Sequence, residues 1–101
     1  MASRPDLQTM LEKLLGSRNV YFQPPESVKM SYPAIVYTRN DIENTHADNS
    51  VYNQHFSYEV IVIDRNPDSE IVNKVSMLPM CSFSRHYEMD NLNHDSFTLY
   101  Y

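Results

Sequence analysis

The sequence predicts an α+β domain: a mostly antiparallel sheet of about four or five strands, with two helices packed on one face, in the order α-β-β-β-α-β-β. Three observations carry that prediction. Phe56, Tyr58, Val60 and Val62 alternate on one face of a strand, while Ile61 and Ile63 turn its second face apolar near the end, so the strand needs cover on both sides. An Asn66-Pro67-Asp68-Ser69 corner follows, and then Ile71, Val75 and Leu78, spaced by four and three, line one side of a helix that can fold back over the sheet. Two further strands close the sequence, far along the chain from the first ones and joined by a short polar turn.

The 101 residues make one domain, 1–101, long enough to hide roughly 65% of the surface an unfolded chain exposes. Its first helix is capped at Ser3 or a neighbour, has Pro5 near its first position, and carries Leu7, Met10, Leu11, Leu14 and Leu15 as a one-sided stripe ending at Gly16. Asn19 to Gln23 reads as a short strand stopped by Pro24-Pro25, since proline cannot donate to a ladder. Glu26 to Tyr32 reads as a loop. Pro33 then opens the β-branched and aromatic strand Ala34 to Asn40.

Asp41 to Ser50 is polar and acidic and reads as a loop or the tip of a protruding hairpin. A strand from Val51 to Ile63 would be about 43 Å long at the usual rise, more than a small sheet needs, so its first half predicts an arm at about residues 41–55. Asp68, or Asn66 with Pro67 behind it, is the expected cap of the second helix, and Pro79 ends it. The final strands run from Met80 to Met89 and from about His94 to Tyr101. An odd loop between them, with Phe83 facing Leu99 and Arg85 facing Phe97, keeps the apolar residues on one face, and Asn91 or Asn93 takes any left-handed position.

Composition narrows the function classes. Eight basic against thirteen acidic residues, a net charge of −5, argue against non-specific attraction to nucleic-acid phosphates. One glycine leaves no phosphate-cradling loop. A single cysteine, Cys81, excludes an internal disulfide framework or a Cys-based zinc site and reads as a small strand hydrophobe. No apolar run has the length of a signal peptide or of the roughly 20 residues a membrane span requires, which predicts a soluble chain.

Chemistry-bearing clusters are sparse. The expected register sets His94 opposite Glu88 with His86 on the same face, the best metal-like grouping, but it lacks a fourth ligand and reads more simply as the solvated face of a hairpin. His46 and Asp48 can be drawn as an acid/base pair without a nucleophile beside them. His55 and Glu59 share a strand face about 13 Å apart, too far for one metal. A chain ending on Phe97-Thr98-Leu99-Tyr100-Tyr101 has its last tyrosines pinned into the sheet or into a partner.

Asn19 to Asn49 with its QPP and later YPAIVY, the VID-x-x-PDS corner, and the NLNH-x-x-F-x-LYY end resemble tail completion, or tail terminator, proteins of long-tailed bacteriophages, over about Val20 to Tyr101. The resemblance implies a virion protein of the tail-neck junction, made in the host cytoplasm. It implies a ring, usually a hexamer, seated on the last ring of the major tail tube protein, ending tube polymerisation and offering a surface to the connector and neck proteins. Genomic DNA would pass through the lumen without specific binding, and neither catalytic residues nor a cofactor are implied. Our own candidates for the subunit or tail-tube interface are Arg39, Asp41, Glu43, His46, Asp48, Tyr52, His55, Tyr100 and Tyr101, because an acidic lumen lets DNA slide without sticking. The rival expectations are a connector or neck adaptor nearer the portal and, in another class, a small metal-dependent enzyme using His86, Glu88 and His94.

Overall fold

A computed structural model describes residues 4–24, 29–47 and 50–100, with side chains described for 4–24, 29–40 and 57–100. In chain order the elements are α1 (Arg4–Leu15), β1 (Val20–Phe22), β2 (Ala34–Ala47), β3 (Ser50–Asp64), α2 (Glu70–Ser76), β4 (Cys81–Met89) and β5 (Leu92–Tyr100). One five-stranded sheet runs β1-β2-β3-β5-β4. Among the described residues only β1 and β2 are parallel; the other neighbours are antiparallel. The α+β architecture and its element order are as the sequence pattern predicts.

Both helices cover the same face. Leu7 and Leu11 of α1 and Val75 of α2 join Val20, Ile35, Tyr37, Tyr58, Val60, Val62, Phe97 and Leu99 in one buried core. The strand register explains that membership: Ile35 pairs with Val62, and Tyr37 with Val60, while Val60 pairs with Phe97 and Tyr58 with Leu99. Paired residues project to one side, so these rows of apolar side chains lie directly under the helices.

A polar set anchors α1. The Tyr37 hydroxyl donates to Gln8 Oε1 at 2.5 Å, and Gln8 Nε2 donates to the Val20 carbonyl at 3.0 Å. Arg4 reaches the Tyr37 oxygen at 3.4 Å and lies over the Phe22 ring, 4.6 Å from its centroid. The helix is thus held to β1 and β2 by groups that would otherwise be buried without partners. It ends as expected at Gly16, whose φ of +81° is open to glycine and whose N–H donates to the Glu12 carbonyl.

Three local expectations need correction. The cap of α2 is Ser69, whose hydroxyl accepts from the Ile71 N–H at 3.3 Å; Asn66 and Asp68 are used earlier, in the corner, where the Asp68 N–H donates to the Asn66 side chain. The strand expected to stop at Asn40 continues to Ala47, because β3 supplies a partner all the way along it. The β4–β5 hairpin turns on two residues rather than an odd number: Asp90 and Asn91 have φ of +55° and +62°, the signature of a tight primed turn. Phe83 consequently faces Phe97, Cys81 faces Leu99 and Arg85 faces Ser96. A bulge between Phe83 and Arg85 supplies the extra residue that keeps the apolar side chains together, the job the odd loop was expected to do.

Candidate functional site

Two surfaces and one polar hairpin end are left over once the core is accounted for. The first surface is a ribbon. β3 pairs with β5 only from Ser57 to Asp64, yet β2 and β3 remain paired to each other out to Ala47 and Ser50. Among the described residues the stretch 41–47 and 50–56 is a two-stranded extension of about 23 Å at the usual antiparallel rise. It agrees with the longest dimension of the chain, 51 Å against 24 and 23 Å across. Irregularities between Arg39 and Asp41 and between Thr45 and His46 interrupt the ladder at its root and near its tip.

Most of the predicted interface residues fall on this ribbon. The backbones of Asp41, Glu43, His46, Tyr52 and His55 lie in it, and Glu43 is the register partner of His55. Their side chains lie outside the described set, as do Asp48 and Tyr101 entirely. Arg39 sits at the root, exposed, with its N–H donating to Gln23 Oε1 at 3.2 Å. Tyr100 is elsewhere: it ends β5, pairs with Ser57, and donates its N–H to the Met80 carbonyl at 3.0 Å. The structure therefore groups the ribbon residues and separates Tyr100 from their far end.

The second surface, which sequence reasoning missed, is the edge strand β4. It forms one border of the sheet, and most of its residues are exposed. Met77, Met80 and Phe83 precede or begin it at 83%, 66% and 57% exposure, and Met89 ends it at 52%. The sequence signal was present in the four methionine and phenylalanine positions, but their period fits a core strand equally well. Phe83 still meets the core through one edge, its ring 5.5 Å from that of Phe97 at 77°.

The hairpin end is more buried than a solvated polar face. β5 lies between β3 and β4, so Asn93, His94, Asp95 and Ser96 are all buried. Three of the four have partners of different kinds. Asn93 donates to the Asp64 and Arg65 carbonyls at 3.4 and 3.2 Å. Asp95 accepts from His86 Nδ1 at 2.7 Å. His94 stacks on Tyr87, centroids 4.8 Å apart, and because a carbonyl can only accept, its Nδ1 carries the proton shared with Leu92 O at 3.1 Å. Ser96 Oγ has no partner among the described atoms.

The metal-like grouping does not form. His86 pairs with Asp95, Tyr87 with His94, and Glu88 with Asn93. Alternation puts His86 and Glu88 on one face and His94 on the other, because the two-residue turn shifts the register by one from the expected one. Among the described residues no three His, Cys, Asp or Glu side chains converge as a metal site. Cys81 is half-buried at the start of β4, where burial pushes its thiol up, away from the thiolate a nucleophile needs. No helix among the described residues is long and apolar enough to cross a membrane.

Searches of family models and of curated proteins found no match to this chain.

Proposed function

We propose that the chain is a structural protein of a bacteriophage virion: a subunit of a ring that caps the tail tube, ends its polymerisation and presents the surface to which the head is joined. The observation that carries this reading is the β2–β3 ribbon, which extends about seven residues beyond its last β5-paired position and there, among the described residues, pairs only with itself. Isolated two-stranded ribbons are marginal in water, so a chain that builds one beside a complete core has a use for it outside itself. The sequence resemblance of residues 20–101 to tail terminator proteins names that use. The acidic balance of the chain supports the same reading, since DNA crossing such a ring must pass without binding.

Its partners on this account are further copies of itself, the major tail tube protein and the connector or neck proteins, with DNA traversing the lumen. Removing the gene from the phage that carries it should yield overlong tail tubes. Tails of normal length that fail to join heads would move the protein to a connector position instead.

A further inference from the structure

We propose that β4 is an acceptor edge, and that a second copy of this chain adds its β2–β3 ribbon to it, extending the sheet from one subunit into the next. The choice of a second copy as occupant rests on the reading of the chain as a ring subunit; the acceptor itself follows from hydrogen-bond geometry.

The Tyr100 N–H donates to the Met80 carbonyl, which makes the adjoining Cys81–Leu99 pair a non-hydrogen-bonded one. The backbone N–H and C=O of Cys81 and, two residues on, of Phe83 then point away from β5. Counting from the other end gives the same pattern. The pair that flanks a two-residue turn, Met89 with Leu92, is hydrogen-bonded, so Glu88 and His86 turn their backbone groups outward. β4 thus offers outward groups along both of its halves on either side of the bulge. The opposite border of the sheet, β1, is only three residues long and offers no comparable edge.

Such an edge is a template for another strand unless it is blocked. β4 contains neither proline nor lysine, and its blocking devices are one bulge and the charges of Arg85 and Glu88. The ribbon has what the edge lacks. Beyond Ser57 neither of its strands has a third partner among the described residues, and its seven-residue strand segments are close in length to the nine of β4. Charge agrees at one half of the edge: residues 41–56 hold Asp41, Glu43 and Asp48 with no lysine or arginine, whereas β4 presents exposed Arg85 and, three residues on, exposed Glu88, with His86 paired to Asp95. Each copy has one donor and one acceptor on different parts of its surface. That contact is heterologous, the kind that closes into a ring when its rotation permits.

The test is the mass in solution, by light scattering after size exclusion, of the full chain and two variants. One carries Phe83→Lys with Glu88→Pro, which charges the edge and removes an outward N–H without touching the β5 ladder; Phe83→Lys alone guards against misfolding of the double variant. The other lacks residues 43–49. We expect the full chain to form a multi-subunit species and each variant to run as a folded monomer by circular dichroism. A mixture of the edge-blocked and ribbon-deleted chains should form a two-chain species and stop there, since one supplies the donor and the other the acceptor. A monomeric full chain overturns the proposal, as does an edge-blocked chain that assembles normally. Assembly of the ribbon-deleted chain with loss of assembly only on edge blocking would assign the contact to β4 against β4 and also overturn it. Ribbon-dependent assembly without effect on tail length leaves the interface standing and removes the tail-terminator reading, whereas capped tails built from the edge-blocked chain do the reverse.

Discussion

The body of the sheet and the ribbon that leaves it are made from the same two strands, β2 and β3, and they differ in what pays attention to their side faces. Between Ala34 and Tyr37 and between Tyr58 and Ile63, the strands have sheet neighbours and α1 and α2 overhead, and the core residues there are fully buried. From Asp41 to Ala47 and from Ser50 to Phe56 they have only each other among the described residues. The sequence changes at the same boundary: Asp, Glu, Asn, Gln, Thr and His now interrupt the apolar positions, leaving Ile42, Val51, Tyr52 and Phe56 among them. Hydrogen bonding alone carries a strand pair a certain distance, but the free energy of the fold comes from burial. The body should therefore be stable without the ribbon, and the ribbon should gain its stability from something added to it.

The largest expected effect attacks the body. Phe97→Ala removes a fully buried ring in the interior strand β5, between Val60 and Phe83 in register, and should cost about 3–5 kcal/mol in urea denaturation. Tyr37→Phe should cost less, about 1–2 kcal/mol, because it keeps the ring contacts with Phe22 and Tyr58 but strands the Gln8 acceptor. Ser69→Ala deletes the cap of α2 and should cost about 1 kcal/mol. Smallest of all is the deletion of residues 43–49, expected to change monomer stability by less than about 0.5 kcal/mol; a loss comparable to that of Phe97→Ala would erase the distinction between body and ribbon.

pH offers a further way to separate the two regions, because among the described residues the shifted groups belong to the body. Burial raises the Tyr37 phenol, against a smaller opposing effect of Arg4, and burial raises the Cys81 thiol. Both groups are neutral when protonated, so in the alkaline window the unfolded chain ionises first while the folded chain keeps its protons. Their contribution is complete below the ordinary thiol and phenol range and is lost as pH rises through the raised values. Stability of the full chain should thus decline on the alkaline side, and Tyr37→Phe should flatten that decline in parallel urea titrations, whereas the ribbon deletion should leave its slope unchanged.

Much of this was legible in the sequence, for identifiable reasons. The α1 stripe, the Phe56 to Ile63 alternation and the proline stops are local patterns whose periods fix a face, and the element order follows from them. What escaped was decided by neighbours. Asp41 to Ala47 reads as a loop or the tip of a protruding hairpin from its polar composition, and it is the hairpin because β3 runs beside it. His86, Glu88 and His94 read as a solvated face; His86 and Glu88 are exposed, but His94 is buried because β5 is flanked on both sides. The two-residue turn at Asp90 and Asn91 contains no glycine, and the compensating bulge beside Ser84 leaves no composition signal; the hairpin register was therefore beyond a parity argument. Of the candidate interface residues, the clustering on one arm was visible as excess strand length, while the exposed border at Phe83 required the strand order of the sheet.

The central claim is that the body completes itself and the ribbon is completed by another copy. Amide hydrogen exchange, resolved along the chain, tests it most directly when measured on the edge-blocked monomer and on the assembled full chain. The account predicts slow exchange in residues 58–63 and 93–99 in both samples, and a large gain of protection in residues 41–47 and 50–56 only on assembly. Equal protection of the ribbon in monomer and assembly would contradict it.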